Sequence, residues 1–255
     1  MKKILLIGLL LLTSCQVPSV GQNVTSTPTT VLQATATRVT PTVEPATVTP
    51  TIVPSPTLTV TPRPPERYFV EEFDTVPSTW STLYASGDSS QVKILNEDSK
   101  LTFEIYSPVT WMYAIYGAFE YDGVSIETRV ESLGSEANSM GLICDYDEQE
   151  GWYEFNISND GSYHVLHGQW LAEGIANYMP ILEDTSARIV TGNSVNEIGL
   201  SCHEDTVQLY INGELIRNLN VAHIGLTGGK VGLSLGSFEE TPVILSFDWV
   251  KVSEP

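Results

Sequence analysis

A long segment without aromatic residues divides this 255-residue chain and confines any folded core to the part that follows it. Residues 16–66 contain 14 Thr and 10 Pro in 51 positions. Proline removes backbone hydrogen-bond donors, and threonine offers too little apolar surface to offset the entropy of ordering the chain. All 7 Phe, 11 Tyr and 5 Trp follow this segment. The sequence therefore predicts a semi-rigid, partly polyproline linker over 15–66 and one domain over 67–255.

The start of the chain predicts an export signal that ends in a lipid-modified cysteine. Two lysines precede an apolar run from Ile4 to Leu12, which is shorter than the about 20 residues that cross a bilayer. We therefore expect residues 1–14 to be a signal peptide. The tetrapeptide LTSC that ends at Cys15 resembles a bacterial lipobox, which implies a diacylglycerol on its sulfur. The alternative is an ordinary signal peptide with a chance cysteine. The expectation is a membrane-anchored lipoprotein of the cell surface or another extracytoplasmic location.

The predicted domain is strongly acidic. Residues 67–255 carry 29 acidic and eight basic side chains, a formal net charge of −21. Such a charge repels phosphate backbones and anionic lipid headgroups. We therefore expect no nucleic-acid partner and no contact with the membrane except through the lipid anchor. The oligomeric state is left open.

Alternation of apolar and polar residues with period 2 recurs through the domain in short runs separated by turn residues. The predicted strands are Tyr68–Phe73, Val92–Leu95, Leu101–Tyr106, Trp111–Tyr116, Val124–Val130, Ser139–Tyr146, Trp152–Ser158, Ser162–His167, Asn196–Cys202, Val207–Ile211, Lys230–Leu235 and Ile244–Val252. Hairpin turns are indicated at 159–161 (NDG) and 212–213 (NG), because Asn and Gly tolerate positive φ. This pattern predicts an all-β, two-sheet antiparallel sandwich, with a helical interruption considered at Leu182–Arg188.

The domain contains two cysteines, Cys144 and Cys202, and each ends an apolar run. Export would place both in an oxidising compartment, where disulfides form and persist. We expect a disulfide between them. Two buried free thiols on neighbouring strands are the alternative.

The order of several short motifs resembles one fold family. These motifs are GLIC (141–144), GWYEF (151–155), SNDGSY (158–163), NEIGLSC (196–202), VQLYING (207–213) and FDWVKV (247–252). They resemble the concanavalin A-like, laminin-G-type jelly rolls of bacterial surface lipoproteins and are similar to the 3-keto-disaccharide hydrolase domain family. The resemblance covers nearly all of residues 68–253. It implies two curved antiparallel sheets whose ligands commonly bind on the concave face or at the rim.

Catalytic motifs are missing from the sequence. Laminarinase-type members of this superfold carry Glu-x-Asp-x-x-Glu or Glu-x-Asp-x-Glu on one strand, because two carboxylates must flank the glycosidic bond. The nearest acidic run, 145–150, is expected to be a solvated turn and does not fit a calcium-binding EF-hand loop. Binding of extracellular carbohydrate without catalysis is therefore favoured. A glycoside hydrolase-type enzyme, and a protein-binding adhesin or sensor ectodomain, are the alternatives.

Strand alternation selects the candidate ligand residues. On the strand at 152–158, Tyr153, Phe155 and Ile157 are expected in the core, so the alternate side chains point the other way. A sugar site combines exposed aromatic rings with amides and carboxylates. The candidate residues are Trp152, Glu154, Asn156, His164, Gln208 and Tyr210. A plain solvated face is the alternative, and the residues expected mainly in the core are Trp80, Trp111, Tyr113 and Trp249.

The sequence predicts no cofactor other than a structural calcium ion. Jelly rolls of this type often carry calcium near the chain ends, where hard oxygen ligands are held. Glu72, Asp74 and Asp248 are the candidate ligands. A hydrogen-bonded carboxylate without metal is the alternative for Asp248, which lies between aromatic residues.

Overall fold

The computed structural model describes residues 64–255, and its strands form two antiparallel sheets packed face to face. The first sheet consists of β1 (Phe69–Glu71), β3 (Val92–Glu97), β4 (Lys100–Ile105), β6 (Gly123–Gly134), β11 (Val195–His203), β12 (Thr206–Ile211), β13 (Glu214–Asn220) and β15 (Val243–Ser253). The second consists of β2 (Trp80–Ser86), β5 (Thr110–Tyr121), β7 (Asn138–Asp147), β8 (Gly151–Ile157), β9 (Ser162–Ala172), β10 (Ile175–Thr185) and β14 (Gly229–Ser237). The predicted all-β antiparallel sandwich is confirmed.

The strand order is that of a jelly roll, because strands distant in sequence pair in both sheets. The first sheet runs β13-β12-β11-β6-β15-β4-β3, with β1 beside β15, and the second runs β10-β9-β8-β7-β14-β5-β2. The first and last strands of the domain therefore pair, with Phe69 opposite Val252. Among the described residues, no helix has the length and hydropathy needed to cross a membrane.

The two sheets bury their residues differently. In β4, Leu101, Phe103 and Ile105 are buried between the sheets, while the alternate residues face solvent in part. This is the pattern of a sheet with one wet face. In β8 all seven residues are buried. The centre of the second sheet is therefore covered on both of its faces.

A disulfide joins the two sheets, as the sequence predicts. Cys144 in β7 is bonded to Cys202 in β11, with 6.3 Å between their Cα atoms and 58 residues of separation along the chain. In the chain-entropy model, closing a loop of this length stabilises the folded state by roughly 4 kcal/mol.

Three strands and one acidic residue differ from expectation. β2, β10 and β13 were not predicted, because edge strands lack clear alternation, and the helical interruption proposed at Leu182–Arg188 is wrong because β10 extends to Thr185. In the 145–150 run, Asp147 does accept hydrogen bonds from the amides of the turn. Asp145, however, is only 4% exposed.

The predicted start of the domain makes ordered contacts. The Tyr121 hydroxyl donates to the Arg67 carbonyl oxygen at 2.7 Å, and the Arg67 guanidinium donates to the Glu120 carbonyl oxygen at 2.8 Å. The guanidinium also lies 5.1 Å from the centre of the Tyr121 ring. The proposed signal peptide, Cys15 and nearly all of the linker lie outside the described residues, so the domain boundaries stay predictions.

Candidate functional site

Aromatic side chains cover the face of the second sheet that points away from the first sheet; we call it the aromatic face. Its buried residues are Tyr113, Ile115, Ile143, Tyr146 and Trp152, and those packed against them include Trp111, Trp170 and Tyr178. The rings interlock around Trp152, whose ring centre lies 5.1 Å from that of Trp170 and 5.3 Å from that of Tyr113. The face is thus a second hydrophobic core.

The aromatic face is enclosed because the sheet that carries it curls until its edges meet. β10 and β2 are the two ends of the strand order, yet they contact each other. In the turn between β9 and β10, a Cβ placed on Gly174 would lie 3.7 Å from the Tyr84 carbonyl oxygen. Glycine beneath the rings makes room for them, since a Cβ on Gly236 would lie 2.7 Å from the Trp111 ring.

Glu154 lies fully buried at the centre of this face and accepts five hydrogen bonds. Its Oε1 accepts from Trp111 Nε1 at 3.0 Å, Asn156 Nδ2 at 2.7 Å and Ser234 Oγ at 2.5 Å. Its Oε2 accepts from Trp152 Nε1 at 3.0 Å and Tyr113 OH at 3.2 Å. A carboxylate offers about four lone-pair sites. The group is therefore saturated by the protein itself.

Saturation and burial leave Glu154 unable to reach a substrate. A glycosidase also needs a second carboxylate across the scissile bond, and the next position on the same face of β8 is Asn156. Burial, followed by the nearby Glu154 charge, raises the pKa of both Tyr113 and Tyr178, so neither hydroxyl ionises near neutral pH. The aromatic face has the chemistry of a structural network.

These contacts correct one sequence-based expectation. Trp152, Glu154 and Asn156 do point away from the intersheet core, as alternation predicts, but all three are buried. Trp152 therefore lacks the exposure that a sugar-stacking platform requires. His164, opposite Asn156 on β9, is part-exposed, with its Nδ1 3.8 Å from Glu183 Oε1.

The other two candidates, Gln208 and Tyr210, lie on the other sheet, so the six predicted residues do not form one site. Both line a groove of about 400 Å³ on the outward face of the first sheet. We call it the outer groove and define it by Gly199, Ser201, Tyr210 and Trp249. Its volume falls within the roughly 300–1,000 Å³ of small-molecule sites.

Gly199 creates the depression at the centre of the outer groove. It lies on β11, opposite Tyr210 of β12 on one side and Glu127 of β6 on the other. A Cβ at this position would lie 3.2 Å from Tyr210 Cβ and 3.4 Å from Glu127 Cγ. Any larger side chain would fill the space between these neighbours.

Two aromatic side chains border this depression. Trp249 lies on β15, three strands away from Tyr210 in the order β15-β6-β11-β12, which separates the two backbones by roughly 14 Å. The Tyr210 hydroxyl donates to Gln208 Oε1 at 2.8 Å, which leaves the Gln208 amide nitrogen available as a donor. The assignment of Trp249 mainly to the core is wrong, because it is only half-buried and lines the groove.

Small hydroxyl residues form the floor of the groove. Ser201 lies between Ser125 and Gln208 in one row across three strands. It is 6% exposed, and its hydroxyl makes no hydrogen bond within residues 64–255. A hydroxyl without a protein partner, on an otherwise buried residue that lines a groove, indicates a place for a hydrogen-bonding ligand.

Sequence reasoning missed Glu127, Glu197, Gly199 and Ser201. The signal for three of them was present in β11, where Ile198, Leu200 and Cys202 are buried between the sheets. The alternate positions of that strand must then share the outward face. Which residues of β6 and β15 lie beside them depends on long-range pairing, which no local pattern encodes.

The calcium candidates do not converge. Asp248 pairs with Lys100 Nζ at 2.9 Å and with Arg129 Nε at 3.2 Å, and Asp74 accepts from Ser99 Oγ at 2.7 Å. In the part of the chain that the structure describes, the one group of three potential ligands within 4.8 Å contains both disulfide cysteines. The cations around Asp248 favour the metal-free alternative, and a calcium site at Glu72 stays a prediction without contact support.

Comparison with known proteins identifies the fold. No family model and no curated protein matches this sequence. Among solved structures, the chain is similar to a β-1,3-1,4-glucanase (lichenase) derived from a mouse hindgut metagenome, with a TM-score of 0.54, 14% identity, and coverage of 74% of this chain and 99% of that one. The chain is also similar to a Bacillus licheniformis β-glucanase, with a TM-score of 0.52, 14% identity, and coverage of 74% of this chain and 98% of that one. For the laminarinase catalytic domain of Thermotoga maritima the TM-score is 0.50 and the identity 14%, with coverage of 74% of this chain and 99% of that one. At this identity the likeness shows the fold alone: the domain is a concanavalin A-like jelly roll.

Proposed function

We propose that this protein is a lipid-anchored, stalked lipoprotein of the cell surface whose domain binds carbohydrate without catalysis, and that the outer groove holds the saccharide. The observation that carries the proposal is the depression at Gly199, bordered by Tyr210 and Trp249 and floored by the unpartnered Ser201 hydroxyl. Sugars present apolar ring faces that pack on aromatic rings and hydroxyls that need polar partners. The groove offers both kinds of group.

The contacts of the carboxylates support binding over catalysis. Glu127 pairs with Lys251 Nζ at 2.7 Å, and Glu197 lies 3.8 Å from Arg129 NH1. Both side chains are about half-exposed and each is paired with a cation, so neither is held in the enclosed position of a catalytic carboxylate. Glu154 is saturated by its own neighbours. The solved glucanases share the fold, and the hydrolase alternative, including the 3-keto-disaccharide hydrolase resemblance, draws no support from these carboxylates.

Binding and turnover are tested together on the purified full-length protein. We expect a glycan array to give specific saccharide signals, and chromatography of the incubated ligand to show no cleavage. Tyr210→Ala should weaken binding about tenfold, because a stacking contact is lost. Tyr106→Ala is the matched control, since Tyr106 is an exposed tyrosine outside the groove. An array without signals would overturn the function, and equal effects of both substitutions would move the site elsewhere.

The anchor requires its own experiment, because Cys15 lies outside the described residues. Cys15→Ser should release the protein from membranes into the soluble fraction and abolish labelling by a radioactive or clickable fatty acid. Unchanged membrane partitioning of this variant would refute the lipid anchor. It would leave carbohydrate binding by the domain untouched.

A further inference from the structure

The outer groove is lined by carboxylates and by no basic side chain of the described residues. Glu127, Glu197 and Glu254 line it beside serines, an amide and two aromatic rings. The surrounding domain is also acidic, with a formal net charge of −21 over residues 67–255. The potential in the groove is therefore negative, and it extends over roughly a Debye length of 8–10 Å at physiological salt.

The ion pairs at the rim offset part of this charge but leave acceptor atoms unused. Lys251 contacts Glu127 through Oε1, so Oε2 is left for another donor. Arg129 is shared, since its Nε pairs with Asp248 at 3.2 Å while its NH1 lies at the longer distance of 3.8 Å from Glu197. Among the described residues, Glu254 forms no ion pair. Each carboxylate thus keeps acceptor capacity.

A second observation shows that the groove is built to hold a polar ligand. Ser201 is only 6% exposed as a residue, it lines the groove, and its hydroxyl has no hydrogen-bond partner in the described part of the chain. A ligand hydroxyl or amine would satisfy it. The charge of the rim then decides which ligand binds most tightly, because a hydrogen bond from a cation to a carboxylate is about twice as strong as a hydrogen bond between neutral groups.

We infer that the outer groove selects amino sugars, that is, saccharides that carry a protonated amine. The inference rests on the proposed carbohydrate function and specifies its ligand class. Ring faces of the sugar pack beside Tyr210 and Trp249, hydroxyls engage Ser201 and Gln208, and the ammonium group lies near Glu127 and Glu197. A neutral saccharide of the same shape loses the charged contact, and a uronate meets repulsion from the same carboxylates.

The test is a series of oligosaccharides that differ in one functional group per sugar and therefore in charge. Tetramers of glucosamine, glucose and glucuronic acid, each in α- and β-linked forms, are immobilised and probed with the full-length protein in a nonionic detergent. We expect the glucosamine form to bind about fivefold more tightly than its glucose counterpart, and the glucuronate form to bind least. Raising the salt concentration to about 0.5 M should remove the amine advantage, because charge is screened and stacking is not.

Charge-neutralising substitutions separate this inference from the proposed function. Glu127→Gln and Glu197→Gln should each lower the affinity for the glucosamine form about two- to threefold more than the affinity for the glucose form. Glu104→Gln, on the same sheet but outside the groove and paired with Lys93, is the control and should change neither. Binding of the three forms with equal affinity, or with uronate first, would overturn the inference and leave the carbohydrate function standing. Failure of every form to bind would overturn the carbohydrate function itself.

Discussion

The outward faces of the two sheets use similar residues and reach opposite outcomes. The aromatic face of the second sheet combines tryptophan, tyrosine, a glutamate and small residues, and the outer groove of the first sheet does the same. On the second sheet the edge strands meet and the face becomes a closed core. On the first sheet nothing in the described residues covers the face, and it remains a groove. Curvature of the sheet, more than residue type, therefore decides which face can bind a ligand.

The same contrast applies to the carboxylates. Glu154 on the aromatic face is fully buried and holds five donors in place, whereas Glu127 and Glu197 are half-exposed and paired with cations at the surface. A buried carboxylate holds its hydrogen-bond donors in place. Removing it lowers the stability of the fold, because each buried donor left without an acceptor costs free energy. An exposed pair contributes little to stability and is free to contact a ligand. Four measurements test this division.

The largest effect is expected from removing the buried carboxylate. Glu154→Leu leaves several buried donors without an acceptor. It should therefore lower the free energy of unfolding by about 5 kcal/mol, measured by urea denaturation. Glu154→Gln keeps one acceptor oxygen and should cost about half as much. Glu197→Gln on the open face is the control and should stay within about 0.5 kcal/mol of the parent. A stable Glu154→Leu protein would show that the network does not organise the face.

A pair of tryptophan substitutions compares the two faces directly. Trp152→Ala should lower the free energy of unfolding by about 4 kcal/mol, because it leaves a cavity among packed rings. Trp249→Ala should cost less than about 1 kcal/mol and should instead weaken saccharide binding. Denaturation and binding are measured on both variants. The contrast between the two faces would be wrong if Trp249→Ala unfolded the domain, or if Trp152→Ala left the free energy of unfolding unchanged.

Titration of the buried Asp145 carboxyl group should make the stability of the domain depend on pH. Burial raises its pKa from 3.8 to about 6. Between these two values the folded state binds more protons than the unfolded state, so stability should fall as the pH rises from about 4 to about 6. The decrease is on the order of 2–3 kcal/mol. Asp145→Asn should remove this part of the slope, and an unchanged slope in that variant would assign the titration to other groups.

The smallest effects are expected from adding one methyl group to each face. In Gly168→Ala the new Cβ would overlap the Trp152 ring, which should cost about 2 kcal/mol of stability. In Gly199→Ala the Cβ meets its neighbours at 3.2 and 3.4 Å, so stability should change little while saccharide binding weakens about two- to threefold. Melting curves and binding isotherms check both. A destabilised Gly199→Ala protein would mean that the groove is as tightly packed as the aromatic face.

Strand alternation predicted much of the fold but only part of the candidate site. It placed Tyr153, Phe155 and Ile157 in the intersheet core and put Gln208 and Tyr210 on the opposite side of their strand, which the structure bears out. It missed the edge strands β2, β10 and β13, where one partner is absent and alternation weakens. It also placed Trp152 and Tyr210 in one site, because a period of 2 gives the side of a strand and does not say which sheet the strand joins.

The sequence by itself determined the all-β architecture and the hairpin turns. These properties depend on local alternation, on turn residues and on composition, which act within a few residues of one another. Only the tertiary structure decided that the face around Glu154 is closed and the face around Gly199 is open. That outcome depends on β10 reaching β2 across a curled sheet and on β6 and β15 bringing Glu127 and Trp249 beside β11. Contacts between residues so far apart in the chain arise from the packing of the whole domain.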